Sequence, residues 1–257
     1  MNYSVLEKKL DIGKEFKGFL TQIFDEKLDC IMEAIHKRQF WCDDLSLNYL
    51  GTIEDKRKII EPKLFNIIRA SSKNFLRVLL ESFDLKSKEI HIFLPRLLVT
   101  MPYDLIPKEL LKSDLLVKSG FLNPFVEKEY SYFSFFSDHP PHIDLIDYKD
   151  LDSHKRVYTC LIPLTSSINQ NNGGLYLSKD EWPYFPDMSF KRCENLQANN
   201  WKSFFIDQFQ PIAWNQYQPH TLGYNKNVNM TGFFRFCFCH DLNNKPILRS
   251  PFISINL

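Results

Sequence analysis

PIAWNQYQPHTLGYNKNVNMTGFFRFCFCH, residues 211–240, is the stretch on which the fold turns. Taken at the two-residue period of a strand, its second half puts Phe233, Arg235, Cys237 and Cys239 on one face and Phe234, Phe236 and Phe238 on the other. Its first half reads as a strand over 210–219 that carries Trp214 and Tyr217 and delivers His220, with a polar, Asn-rich loop between the two. An arginine inside an aromatic strand is the odd element. A guanidinium cannot shed its charge, so in a central strand it needs an anion, and a ligand carboxylate held by a bidentate fork is a fitting one. An internal Asp, or an edge position from which the head reaches water, would serve the same need.

Upstream, VYTCLIPLTSSINQNNGGLYLS (157–178) runs from an apolar strand into a polar loop ending in Asn172-Gly173-Gly174, then resumes as Leu175-Tyr176-Leu177. Further upstream, KEYSYFSFFS (128–137) reads as an aromatic strand, broken by Asp138-His139-Pro140-Pro141 before His142-Ile143-Asp144 opens the next run. On an extended chain residues i and i+2 share a side, so His142 and Asp144 can reach one metal while Ile143 packs the other way. Two imidazoles and a carboxylate form the ligand set that holds one face of an octahedral ferrous ion and leaves the other open, so a third ligand must come from elsewhere in the chain, with His220, 78 residues on, a candidate. Strands are expected near 129–136, 142–148, 155–164, 174–178, 210–219, 231–240 and 250–256.

Before these, the hydrophobic period is helical. Apolar residues recur at three and four positions from about Glu15 to Lys37 and from about Lys56 to Phe83, as at Phe65, Ile68, Phe75, Val78, Leu79 and Phe83. The run IHIFLPRLLVTMP (90–102) looks extended, with Pro95 better suited to an edge or a bulge than to a central strand. A short helix is expected over Lys108 to Lys118. The fold class is therefore mainly β with helical additions: residues 1–88 mostly helical, 89–257 the β core with an insert at 179–207, all within one domain of 257 residues.

Composition narrows the function classes. A formal net charge of +1 and scattered lysines give no footprint for nucleic acid. No stretch approaches the ~18 apolar residues of a membrane span. The N-terminal MNYSVLEKKLDIGKEFK has no apolar core of a secretory signal, so a cytoplasmic, reducing location is expected. The six cysteines contain no CxxC pair, and Cys237 and Cys239 read as buried thiols. His36, His91, His154 and His240 read as packing or surface residues, while His139 is a candidate for the mouth of the site.

The order His-x-Asp, a strand into Asn-Gly-x-Leu, a distal His, then Asn-x-Thr and an Arg on the following strand resembles the phytanoyl-CoA dioxygenase-like superfamily of iron(II)- and 2-oxoglutarate-dependent oxygenases, over roughly residues 90–245. The resemblance implies a double-stranded β-helix, or jelly roll, with helices buttressing one sheet. It implies His142, Asp144 and His220 as ligands of Fe(II), and Arg235 on the distal carboxylate of 2-oxoglutarate, approached through the Asn229-x-Thr231 turn. Position 237 is Cys where the family often has Ser, so Tyr132, Ser134 and Arg96 become candidates for the second cosubstrate contact, with Thr231 nearby. Thr221 replaces a usual Gly after the distal histidine, and the loop between His220 and Arg235 is longer than usual.

By the same resemblance, the chain would couple O₂ and 2-oxoglutarate to oxidation of a small metabolite, releasing succinate and CO₂. A retained carboxylate ligand, Asp144, points to hydroxylation, desaturation or cyclisation rather than halogenation. Specificity would lie in the N-terminal third, in 105–130 and in the insert, whose Trp182, Tyr184, Phe185 and Trp201 either cover a substrate or pack the insert down. A cupin-like isomerase or lyase, needing the ligands but not Arg235, and a non-catalytic β-sandwich binding module are the alternatives.

Overall fold

The computed structural model describes residues 3–5, 10–36, 63–100, 157–165, 175–178, 201–216, 218, 220–222, 231–240 and 252–257. The strands expected near 129–136 and 142–148, the helix over 108–118 and the Asn172-Gly173-Gly174 turn lie outside them. The described strands are β1 (Tyr3–Val5), β2 (Glu89–Thr100), β3 (Tyr158–Pro163), β4 (Leu175–Ser178), β5 (Trp201–Ser203), β6 (Ile212–Asn215), β7 (His220–Leu222), β8 (Thr231–Cys239) and β9 (Phe252–Asn256). They form two sheets, one ordered β1-β6-β3-β8-β2-β9 and one ordered β5-β4-β7. Every described pairing is antiparallel.

Strand β8 is central, paired to β3 on one side and β2 on the other. Its alternation divides the apolar residues between two cores, as its two-residue period predicts. Phe234, Phe236 and Phe238 face the helices, where helix α1 (Lys14–His36), helix α2 (63–69) and helix α3 (Lys73–Glu81) cover the sheet. Phe16 of α1 meets Phe234 edge-on at 5.8 Å, Phe75 of α3 meets Phe236 at 6.5 Å, and Phe83 and Tyr158 flank Phe238. Phe233 faces the other way, into a cluster with Leu161, Ile212 and Trp214 of the larger sheet and Leu175, Leu177, Phe204 and Ile206 of the smaller. The larger sheet is thus covered on both faces, by helices and by the second sheet.

Close approach of α1 to β8 depends on a missing side chain. The ring of Phe24 occupies the place where a Cβ on Gly232 would lie. Pro95 is accommodated as its chemistry requires: the β2–β8 register shifts between Phe93 and Arg96, and β9 pairs with β2 only over Glu89–Phe93.

The structure departs from expectation in four places. The first third is not simply helical, because Tyr3–Val5 forms β1 on the edge of the larger sheet against β6. The helical pattern over 56–83 is two helices within the described residues, interrupted at 70–72, where Ser72 caps α3 by accepting a hydrogen bond from the Phe75 amide. The strand expected over 210–219 ends at Asn215, the chain turns through Gln216 and Gln218, and His220 begins a separate strand in the other sheet. The insert at 179–207 is not all loop, since Trp201–Ser203 is strand β5, paired to β4, and Phe204 and Ile206 are core.

Two glycines give opposite expected outcomes in denaturant titrations. Gly232→Val forces a side chain against Phe24 and should cost about 1–3 kcal/mol or more. Gly18, exposed in α1 with open space around it, should tolerate Ala with a gain of about 0.5–1 kcal/mol from helix propensity. Phe236→Ala, which empties a fully buried site between α3 and β8, should cost about 3–5 kcal/mol by the same measurement.

Candidate functional site

The space between the two sheets is apolar at one end and polar at the other. Strand register fixes which side chains share it. Leu177 of β4 points into the inter-sheet cluster, and its register partner across the ladder is His220, so His220 lies on the inner face of the smaller sheet. Leu161 of β3 points into the same cluster from the larger sheet, and its register partner is Arg235, so Arg235 lies on the facing inner surface. The histidine and the arginine singled out in the sequence therefore sit on opposing walls of one space.

His220 is buried, and its ring is held from both sides. Nδ1 lies 3.1 Å from the backbone carbonyl oxygen of Gln218. A carbonyl only accepts, so Nδ1 carries the hydrogen and, in the neutral imidazole, Nε2 carries the lone pair. This is the tautomer that metal-ligating histidines present, with the distal nitrogen fixed by a carbonyl. Gln218 is itself tied down, its side-chain Nε2 donating to the backbone carbonyl of Ser178 at the end of β4. Across the gap, the Trp214 ring from β6 packs on the imidazole, centroids 5.0 Å apart and planes inclined at 54°.

Arg235 is half-buried in the middle of a central strand, with its Nε withdrawn from solvent. Of the positions left open by the sequence, β8 is central rather than an edge. The register partner of Arg235 on β2 is Arg96. Thr231 is buried at the start of β8, in phase with Arg235 but two pleats away, about 13 Å along the strand. It is therefore not beside the guanidinium.

Between these walls lies a polar layer that sequence reasoning missed. Cys237 receives a hydrogen bond from Gln216 Nε2 at 3.1 Å and lies 3.8 Å from the Thr159 hydroxyl. Thr159, Gln216 and Gln218 are all buried. Two atoms of this layer have no hydrogen-bond partner among the described residues: the Trp214 indole Nε1 and the Gln216 Oε1, each on a side chain only 1% exposed. An orphaned buried donor or acceptor costs about 1–3 kcal/mol, which a bound ligand or water offsets. The signal is present in IAWNQYQ, where positions 214, 216 and 218 share the phase of Ile212.

The cysteines behave as buried thiols, as expected. Cys160, Cys237 and Cys239 are buried and form no disulfide among the described residues. Burial, with Cys237 nearby, pushes the Cys160 thiol well above the usual range, so it stays protonated. His91 is a packing residue, its Nδ1 2.8 Å from the Ser254 hydroxyl. No helix among the described residues is long and apolar enough to cross a membrane.

His142, Asp144, Tyr132, Ser134 and His139 lie outside the described residues, as do Trp182, Tyr184 and Phe185 of the insert. Among the described residues no cluster of three or more His, Cys, Asp or Glu could hold a metal ion. His220 is thus the one proposed ligand whose surroundings are described.

No protein-family model matches the chain, and no curated protein matches it. Solved structures do. AviO1 from Streptomyces viridochromogenes Tue57 superposes with a TM-score of 0.52 at 10% identity, over 94% of this chain and 90% of that one. The apo form of ThoJ, a non-heme monooxygenase, gives 0.49 at 10% identity over 93% and 74% of the two chains. EvdO2 from Micromonospora carbonacea var. aurantiaca, complexed with 2-oxoglutarate, gives 0.44 at 12% identity over 78% and 66%. At 10% identity the likeness to AviO1 is one of fold, and it extends over nearly the whole of both chains.

Proposed function

We propose that the protein is an Fe(II)- and 2-oxoglutarate-dependent oxygenase with a jelly-roll core, resembling the phytanoyl-CoA dioxygenase-like superfamily, that oxidises a small metabolite such as an amino acid or a natural-product intermediate. The observation that carries the reading is the pairing of walls. A buried histidine, locked by a carbonyl in the ligating tautomer, faces a sheet that carries a half-buried arginine at its centre.

Each residue has a task in this reading. His220 would offer Nε2 to the metal, with Gln218 holding the ring and Trp214 packing its face, so little rotamer freedom remains to be lost on binding. His142 and Asp144 are assigned as the other two ligands from the sequence pattern alone. Arg235 would receive the distal carboxylate of 2-oxoglutarate. Bound together, iron, 2-oxoglutarate and O₂ would supply the oxidant for a substrate C–H bond, with succinate and CO₂ released. The buried apolar residues on the inner faces exclude water from that chemistry. With Asp144 as a ligand, the outcome would be hydroxylation, desaturation or cyclisation rather than halogenation.

Anaerobic addition of Fe(II) and 2-oxoglutarate to the purified protein tests the reading by the weak visible charge-transfer band of the chelate. The expected band needs both components and is lost in His220→Ala. Arg235→Gln should keep the metal but weaken 2-oxoglutarate by at least about tenfold, the loss of a charge-assisted hydrogen bond. Full metal occupancy without a band would instead favour a cupin-like isomerase or lyase, and absence of metal binding a non-catalytic module.

A further inference from the structure

The cosubstrate reading leaves one contact to be found, and the inter-sheet space supplies a candidate the sequence did not. Cys237 stands where the resembled family often has a serine two residues after the arginine. Its sulfur accepts from Gln216 Nε2 and lies 3.8 Å from the Thr159 hydroxyl, where either atom can donate, so Cys237 already takes part in a hydrogen-bond network. Among the described residues, β6 offers a buried donor without a partner. Trp214 is 1% exposed, and its indole Nε1 has no hydrogen-bond partner among the described residues. An indole N–H only donates, so the group that completes it must be an acceptor.

Where that acceptor sits follows from the register. Trp214 is opposite Thr159, and Thr159 is opposite Cys237, so the three form one cross-strand row on the inner face. The adjacent row is Ile212, Leu161, Arg235 and Arg96. Trp214 also lies against His220 from the opposing sheet. The indole is thus next to the proposed metal ligand and one row from the proposed carboxylate clamp.

We infer that Trp214 Nε1–H binds the oxo-carboxylate end of 2-oxoglutarate, the end that chelates the metal, while Arg235 binds the far end. This inference rests on the oxygenase reading above. Gln216 assists it: turned by half a rotation, its amide accepts from the Cys237 thiol and presents Nε2–H in place of the orphaned Oε1, adding a second donor to an anion site.

The test is Trp214→Phe, which keeps an aromatic ring against His220 and removes the N–H. Dissociation constants for 2-oxoglutarate and for pyruvate, which carries the oxo-carboxylate end alone, are read from the Fe(II) charge-transfer band under anaerobic conditions. Metal affinity is read separately with Co(II). The expected result is a loss of about 5- to 50-fold for both acids in the same ratio, with a shifted band and unchanged Co(II) affinity. Arg235→Gln should weaken 2-oxoglutarate while leaving pyruvate unaffected. Unchanged binding of both acids in Trp214→Phe overturns the inference and leaves the oxygenase reading standing. A joint loss of Co(II) and acid affinity also overturns it, because Trp214 would then only prop His220. If the wild-type protein gives no band, the oxygenase reading fails and takes this inference with it. Should the variant not fold, a benzothienylalanine placed at position 214, isosteric but with sulfur in place of N–H, gives the same comparison.

Discussion

Burial of β8 on both faces is the constraint on which the rest depends. A nine-residue strand in mid-sheet, Thr231–Cys239, carries three phenylalanines into a helical layer and one phenylalanine, an arginine and two cysteines into the gap between sheets. Neither set is stable without its cover, so the helices and the second sheet are both required. A slip of one residue would exchange the sets and bring Arg235 under α1 and α3. Charge burial of that kind is costly enough to make the register effectively unique. The same feature that organises the core therefore fixes the wall of the candidate site.

The two walls are built differently. On the larger sheet, Arg235 is positioned by long-range ladders to β2 and β3, whose contacts span most of the chain. On the smaller sheet, His220 is positioned largely by its own neighbourhood, through the Gln218 carbonyl two residues earlier and the Gln218 side chain on β4. A local turn thus sets the orientation of a group whose opposite number is set by global topology. Trp214 joins the two, rooted in the larger sheet and packed on the imidazole of the smaller.

Period-two alternation made β8, with its central arginine, legible in the sequence, and the three- and four-residue spacing made α1 legible. Pro95 announced its register shift because proline cannot donate to a ladder. Other elements were hidden for physical reasons. Three-residue strands such as Tyr3–Val5 and Trp201–Ser203 have no period of their own and exist because a partner edge recruits them. The break between β6 and β7 was obscured because Gln216 and Gln218 keep the alternation going, although Pro219 was a sign that the ladder ends. The His-x-Asp pair and the aromatic strand before it fall outside the described residues, so that part of the site rests on the sequence. The polar layer of Thr159, Gln216 and Gln218 went unread because glutamine in a strand has many ordinary explanations, and only its burial singles it out.

The register shift at Pro95 also divides β2 into two parts. Beyond Phe93, β2 continues to Thr100 along β8, while its other flank has no partner among the described residues. A proline placed where that flank begins removes an amide donor and distorts the spacing of those that follow. The proline thus marks the point where a strand shared by two neighbours becomes one held, among the described residues, by β8 alone.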